Sequence, residues 1–97
     1  MSTGVLKAKQ LSASGFVTQR RALFKQLLIF HPINDDSEYK FYDLATAPTG
    51  GEPYYAFQVY GKKSELMPIP DPGVLFDDGI YVTVISGTTV TVFYEEV

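Results

Sequence analysis

The chain of 97 residues has no cysteine, which excludes disulfides, thiol catalysis and cysteine-based zinc sites. It has one histidine, which excludes a multi-histidine metal centre built within one chain. Tryptophan, the usual flat platform for sugar rings, is also missing. No apolar run reaches the length of a membrane span, and the start lacks a basic stretch followed by an apolar one. The expectation is a soluble, non-secreted chain without membrane contact. Basic residues are in the minority, eight against eleven acidic, for a net charge of −3. That balance argues against a dedicated nucleic-acid binder, which carries a basic patch or stripe. There is no internal repeat and no low-complexity block.

Tyrosine and phenylalanine are plentiful, with seven of each. Aromatic and β-branched residues fit a pleated, half-buried surface. Proline and glycine break the chain at short intervals from residue 48 onward. Residues 1–10 read as a flexible arm or a short edge strand, ahead of a single domain over 11–97. Leu11–Thr18 reads as a strand with a bulge or tight bend around Gly15. Arg20–Phe30 fits either a helical stripe or a strand. No N-cap precedes it, no glycine ends it, and His31-Pro32 demands an extended residue, so strand is the choice. Alternation puts Phe24, Leu28 and Phe30 on one face and Leu23, Lys25, Leu27 and Ile29 on the other.

Asn34 to Ser37 reads as a turn, and Glu38–Thr46 as a strand with Tyr39, Phe41 and Asp43 on one side. Residues 47–53 form a loop, and Tyr54–Tyr60 a strand with Tyr55, Phe57 and Val59 on one face. Gly61–Glu65 reads as a charged turn. Leu66–Pro72 has three prolines at alternate positions, so it is an edge strand or a polyproline-like arm. A short apolar piece, Gly73–Phe76, leads to a hairpin-type Asp77-Asp78-Gly79 turn. Ile80–Ser86 and Thr88–Glu95 alternate well and flank Ser86-Gly87-Thr88, which predicts a C-terminal β-hairpin. Together these segments predict an all-β fold: a small antiparallel β-sandwich or a jelly-roll-like barrel.

Chemistry-bearing groups are few. Asp71, Asp77 and Asp78 read as calcium ligands or as turn formers, and their spacing does not fit an EF-hand loop. Asn34, Asp35 and Asp36 carry the same two readings. His31, with Ser37 and Asp43 near it in sequence, would be the base of a hydrolytic triad or a polar strand cap, and no nucleophile elbow is present. The pairs Arg20-Arg21 and Lys62-Lys63 read as phosphate contacts, as solvated faces or as partners for an acidic surface. No catalytic, cofactor-binding or metal-ligating residue is assigned, and no cofactor is expected. Tyr54, Tyr55, Tyr60, Tyr81 and Tyr94 lie on strands whose two faces both carry large groups. A sandwich this small hides one face per sheet, so part of this aromatic surface is expected outside, as a contact with itself or a partner.

Residues 67–96 hold Ile69, Pro70, Gly73, Phe76, Gly79, Ile80 and Tyr81, then the alternation Thr91-Val92-Phe93-Tyr94. This segment resembles small virion structural proteins of tailed bacteriophages, particularly short-tailed phages of marine and cyanobacterial hosts. Leu11-Ser12-Ala13-Ser14-Gly15 and the following basic-apolar segment resemble that family's opening, where the second segment is a strand. The likeness covers about half of the chain, in two blocks, and residues 31–65 do not share it. It implies a non-enzymatic virion component assembled in the host cytoplasm. The expected role is a capsid decoration or cement protein, with a tail, head–tail connector or fibre part as the alternative. Expected partners are further copies of the chain and other virion proteins, the major capsid protein first among them, with no nucleic acid and no membrane. A carbohydrate-binding β-sandwich module is the competing class.

Overall fold

The computed structural model describes residues 5–46, 48 and 51–97. Among these residues there are nine strands and no helix. They are β1 (Leu6–Leu11), β2 (Gly15–Thr18), β3 (Ala22–His31), β4 (Ser37–Tyr42), β5 (Tyr55–Val59), β6 (Lys63–Pro68), β7 (Val74–Phe76), β8 (Ile80–Val82) and β9 (Thr89–Glu96). Two antiparallel sheets pack on each other as a small β-sandwich. The larger sheet runs β1-β9-β3-β6, with β7 sharing the outer edge of β3, and the smaller runs β2-β8-β4-β5.

The ambiguous segment is a strand, β3, the longest in the molecule. Its backbone is satisfied on both edges, by β9 along nearly its whole length and by β6 and β7 in succession on the other side. The His31-Pro32 step ends it as expected. A bulge lies between Phe24 and Gln26. The extra residue, Lys25, inverts the alternation that follows. Phe24, Leu27, Ile29 and His31 are therefore buried, while Leu28 and Phe30 are exposed. The expected face of Phe24, Leu28 and Phe30 is split by this one residue.

The core lies between the sheets. Phe24 stacks on Phe41 at 4.8 Å between ring centroids, and Tyr55, Phe57 and Phe76 meet Phe24 edge-on. Val17, Leu27, Ile29, Tyr39, Val59, Ile80, Val82, Val90 and Val92 complete it. Tyr39, Phe41 and Val59 face inward as the period-two reading of β4 and β5 requires, though β4 ends at Tyr42.

The C-terminal hairpin does not form. β8 belongs to the smaller sheet and β9 to the larger, so residues 83–88 arch across the sandwich. The Ser86-Gly87 turn is real, with Thr88 N–H and Oγ1 both bonded to the Ile85 carbonyl. An arch and a hairpin both need a tight turn between alternating strands. Val82 and Val90 are fully buried in the same core, but from opposite layers. Asp77-Asp78-Gly79 is likewise a crossing from β7 in the larger sheet to β8 in the smaller, not a hairpin turn. Gly79 is required there, since a Cβ would stand 2.7 Å from the Leu44 carbonyl oxygen and 2.8 Å from that of Thr18.

Residues 11–18 are two strands rather than one. The chain leaves the larger sheet after Leu11 and enters the smaller at Gly15. Serines satisfy the crossing: Ser14 Oγ accepts from the Val84 amide at 2.8 Å, and Ser12 Oγ meets Thr89 Oγ1 at 3.3 Å. Of the amino-terminal alternatives, residues 6–11 take the edge strand, paired with β9. Gly61–Glu65 is not a turn throughout, because β6 starts at Lys63. Met67 and Pro68 continue that edge strand, and Gly73 follows with φ of 107°. Of the loop expected over 47–53, residues 47, 49 and 50 lie outside the described residues.

Candidate interaction surface

Of the groups singled out for catalysis or metal binding, His31, Asp36 and Asp43 are engaged within the fold. His31 is fully buried. Its Nε2–H donates to the Asp35 carbonyl at 2.8 Å, and the Tyr39 hydroxyl bonds Nδ1 at 2.6 Å. Burial pushes the Tyr39 phenol up, which keeps it protonated and a donor. Asp43 does not approach His31 in a triad. Its carboxylate accepts from the backbone amides of Asp77 at 3.0 Å, Asp78 at 2.7 Å and Gly79 at 3.4 Å. It thus pins the β7–β8 crossing to the end of β4. Ser37 pairs with Val59 across β4 and β5.

Asp71 faces Lys25 at 3.8 Å and Asp77 faces Arg21 at 3.6 Å. Among the described residues no three His, Asp or Glu side chains converge on a point that could hold a metal ion. Asp36 Oδ1 accepts from the Gly61 amide, which is turn chemistry. Lys63 faces Glu65 at 3.6 Å. The two basic pairs lie on different elements and build no joint patch.

The tyrosines divide three ways. Tyr94 is a core residue, and Tyr55 faces inward against Phe57 at 4.9 Å. Tyr81 is half-buried on the outer face of the smaller sheet, between Phe16 at 5.0 Å and Tyr42 at 6.4 Å. Tyr54 and Tyr60 are exposed. Tyr54 borders an open cleft of about 440 Å³ lined by Tyr42, Asp43, Leu44, Glu52 and Pro53.

The larger apolar surface is elsewhere, on the outer face of the sheet formed by β1, β9, β3, β6 and β7. Strand register arranges it in rows. One row runs Ala8, Phe93, Gln26 and Pro68, and the next Gln10, Thr91, Leu28 and Leu66. Phe30 lies between Thr89 and Ser64, and Leu23 lies between Glu95 and Leu75. Leu6, Leu28, Phe30 and Leu66 are 58%, 42%, 53% and 51% exposed. They sit on four-strand-wide sheet rather than singly, which separates them from the scattered apolar residues of any surface. Glu95 is 6% exposed and its Oε1 has no hydrogen-bond partner, so even the acid in this face is packed among apolar neighbours.

Part of the expected aromatic surface does lie outside, at Tyr54 and Tyr60, and the larger sheet exposes a second, apolar one. The exposed large residues of that second surface are leucine and phenylalanine on β1, β3 and β6. Its signal in the sequence was β3 itself, which is apolar on both faces. A strand covered on one side only should alternate with polar residues.

No protein-family model, no curated protein and no solved structure matches this chain.

Proposed function

We propose that the chain is a non-enzymatic virion structural protein of a tailed bacteriophage, decorating or cementing the capsid through contacts with itself and with the shell. The observation that carries this reading is the exposed apolar face of the larger sheet. A face of this kind is covered in a working assembly. The segment that resembles the phage family supplies fold-forming residues here. Phe76 and Ile80 are fully buried, and a Cβ on Gly73 would stand 2.7 Å from the Phe24 carbonyl oxygen. The non-enzymatic reading is supported by His31 and Asp43, whose polar atoms are engaged within the fold. A shell part needs modest contacts multiplied by symmetry, and an exposed face repeated on every copy suits that role.

A tail, connector or fibre position in the virion is the alternative within the same class. Purified particles of the encoding phage test the reading. The chain should stay with them through a density gradient, and shells without it should rupture at lower temperature or on dilution into low salt. Unchanged shell stability with the chain still bound would move it to a tail or connector position. Its absence from particles would overturn the virion reading.

A second reading, a carbohydrate-binding module, draws on the cleft beside Tyr54, which two tyrosines and two acidic residues line. Glycan-array binding abolished by Tyr54→Ala would support it. Tyr55 faces the core and would not serve as the sugar platform.

A further inference from the structure

We infer that the occupant of the outer face of the larger sheet is a second copy of this chain, stacked face to face about a two-fold axis. The inference rests on the self-associating structural role proposed above and names its surface.

Edge pairing, the other route by which β proteins associate, is obstructed on this sheet. On β1 the inward positions alternate with Leu6, Ala8 and Gln10, and two of them are Lys7 and Lys9. On β6 the inward positions include Lys63 and Glu65, opposite the buried His31 and Ile29. Charges pointing inward at a sheet edge block the addition of a further strand. β7, which shares that edge with β6, carries no charge but is only three residues long, and a very short edge strand offers little to pair with, so the face is left for contact.

The area of the face fits a dimer. With 6, 8, 10, 6 and 3 residues in β1, β9, β3, β6 and β7, a rise of about 3.3 Å per residue and a strand spacing of about 4.8 Å give a face of about 520 Å². Two copies would bury about 1,000 Å² in total, the level a specific interface has to reach. The molecule already packs one sheet face on another, and stacked sheets lie about 10 Å apart. A second copy repeats that packing on the other side of the larger sheet. A two-fold arrangement sets the same patch against itself, so it needs no partner of matching charge. The middle of the face, around Leu28, Leu66 and Phe93, carries no charged residue. The buried Glu95 lies in the end row with Leu23, away from Leu28 and Phe30, where it stays at the rim.

Sedimentation velocity of the full chain and of three variants tests the inference. Leu28→Glu and Leu66→Lys change exposed positions on two different strands, and Tyr60→Glu changes an exposed position outside this sheet. Far-UV circular dichroism confirms that each variant is folded. The unmodified chain and Tyr60→Glu should sediment as dimers at micromolar concentration. Leu28→Glu and Leu66→Lys should each raise the dissociation constant roughly 100-fold or more. An unmodified chain that stays monomeric up to about 100 µM would overturn the inference, as would a dimer that both variants leave intact. A monomer retained on particles sinks the dimer and keeps the virion reading. A Leu28-dependent dimer absent from particles does the reverse.

Discussion

Asp43 binds three successive backbone amides with one carboxylate. Those amides belong to a crossing where neither sheet can pair them. Replacement by alanine leaves them without this acceptor, and Asp43→Ala should cost about 1–3 kcal/mol in urea unfolding. The His31–Tyr39 pair is a second internal tie. Tyr39→Phe keeps the ring and removes the hydroxyl, which leaves Nδ1 of a fully buried histidine unpaired. The expected loss is again about 1–3 kcal/mol, read from the same unfolding curves. Neither role was legible in the sequence. A lone histidine at a strand end and an aspartate after a strand carry no sign of the carbonyl or amides they meet, because those partners come from the fold. Glycine was more legible: Gly73 and Gly79 stood within the quoted motif, and both sit where a side chain would collide with backbone.

β1 is held at its far end by a charged tie. Lys7 Nζ donates to Glu96 Oε1 at 2.8 Å, and Thr18 Oγ1 donates to Glu96 Oε2 at 2.6 Å. The hydrogen bond from Lys7 first, then that from Thr18, holds the Glu96 carboxyl below its ordinary value of 4.5. The bond to Glu96 raises the Lys7 ammonium above its ordinary 10.5. Glu96 thus contributes stability that is present above about pH 4.5 and lost as pH falls through its lowered value. The Lys7 contribution is present below about pH 10.5 and lost as pH rises through its raised value. Lys7→Met should flatten both limbs of the stability–pH curve, measured by thermal melting. Strand identity was readable at this scale, because alternation and turn residues are local. Which sheet each strand joins was not. β8 and β9 alternate equally well as a hairpin or as an arch, and only the opposite layers of Val82 and Val90 decide. The bulge at Lys25 was hidden for the same reason, since one residue out of register leaves no local mark and yet moves Leu28 and Phe30 to the outside.

At the scale of the whole molecule, two sheets cover one face each and leave the other to its surroundings. The smaller sheet presents a half-buried row of Phe16, Tyr81 and Tyr42, and the larger an exposed row of Leu28 and Leu66 beside Phe30. The excess of large side chains over available interior was visible in the composition, and the surplus surface follows from it. The surplus is shared: Tyr54 and Tyr60 are exposed as expected, Tyr94 and Tyr55 go to the core, and leucine and phenylalanine of the larger sheet make up the rest. Light-scattering mass of the unmodified chain, followed over a wide concentration range, tests the association most directly. A mass rising to twice that of one chain and stopping there is the predicted result, as a closed two-fold contact requires. A mass that stays at one chain throughout, or climbs without limit, would contradict it.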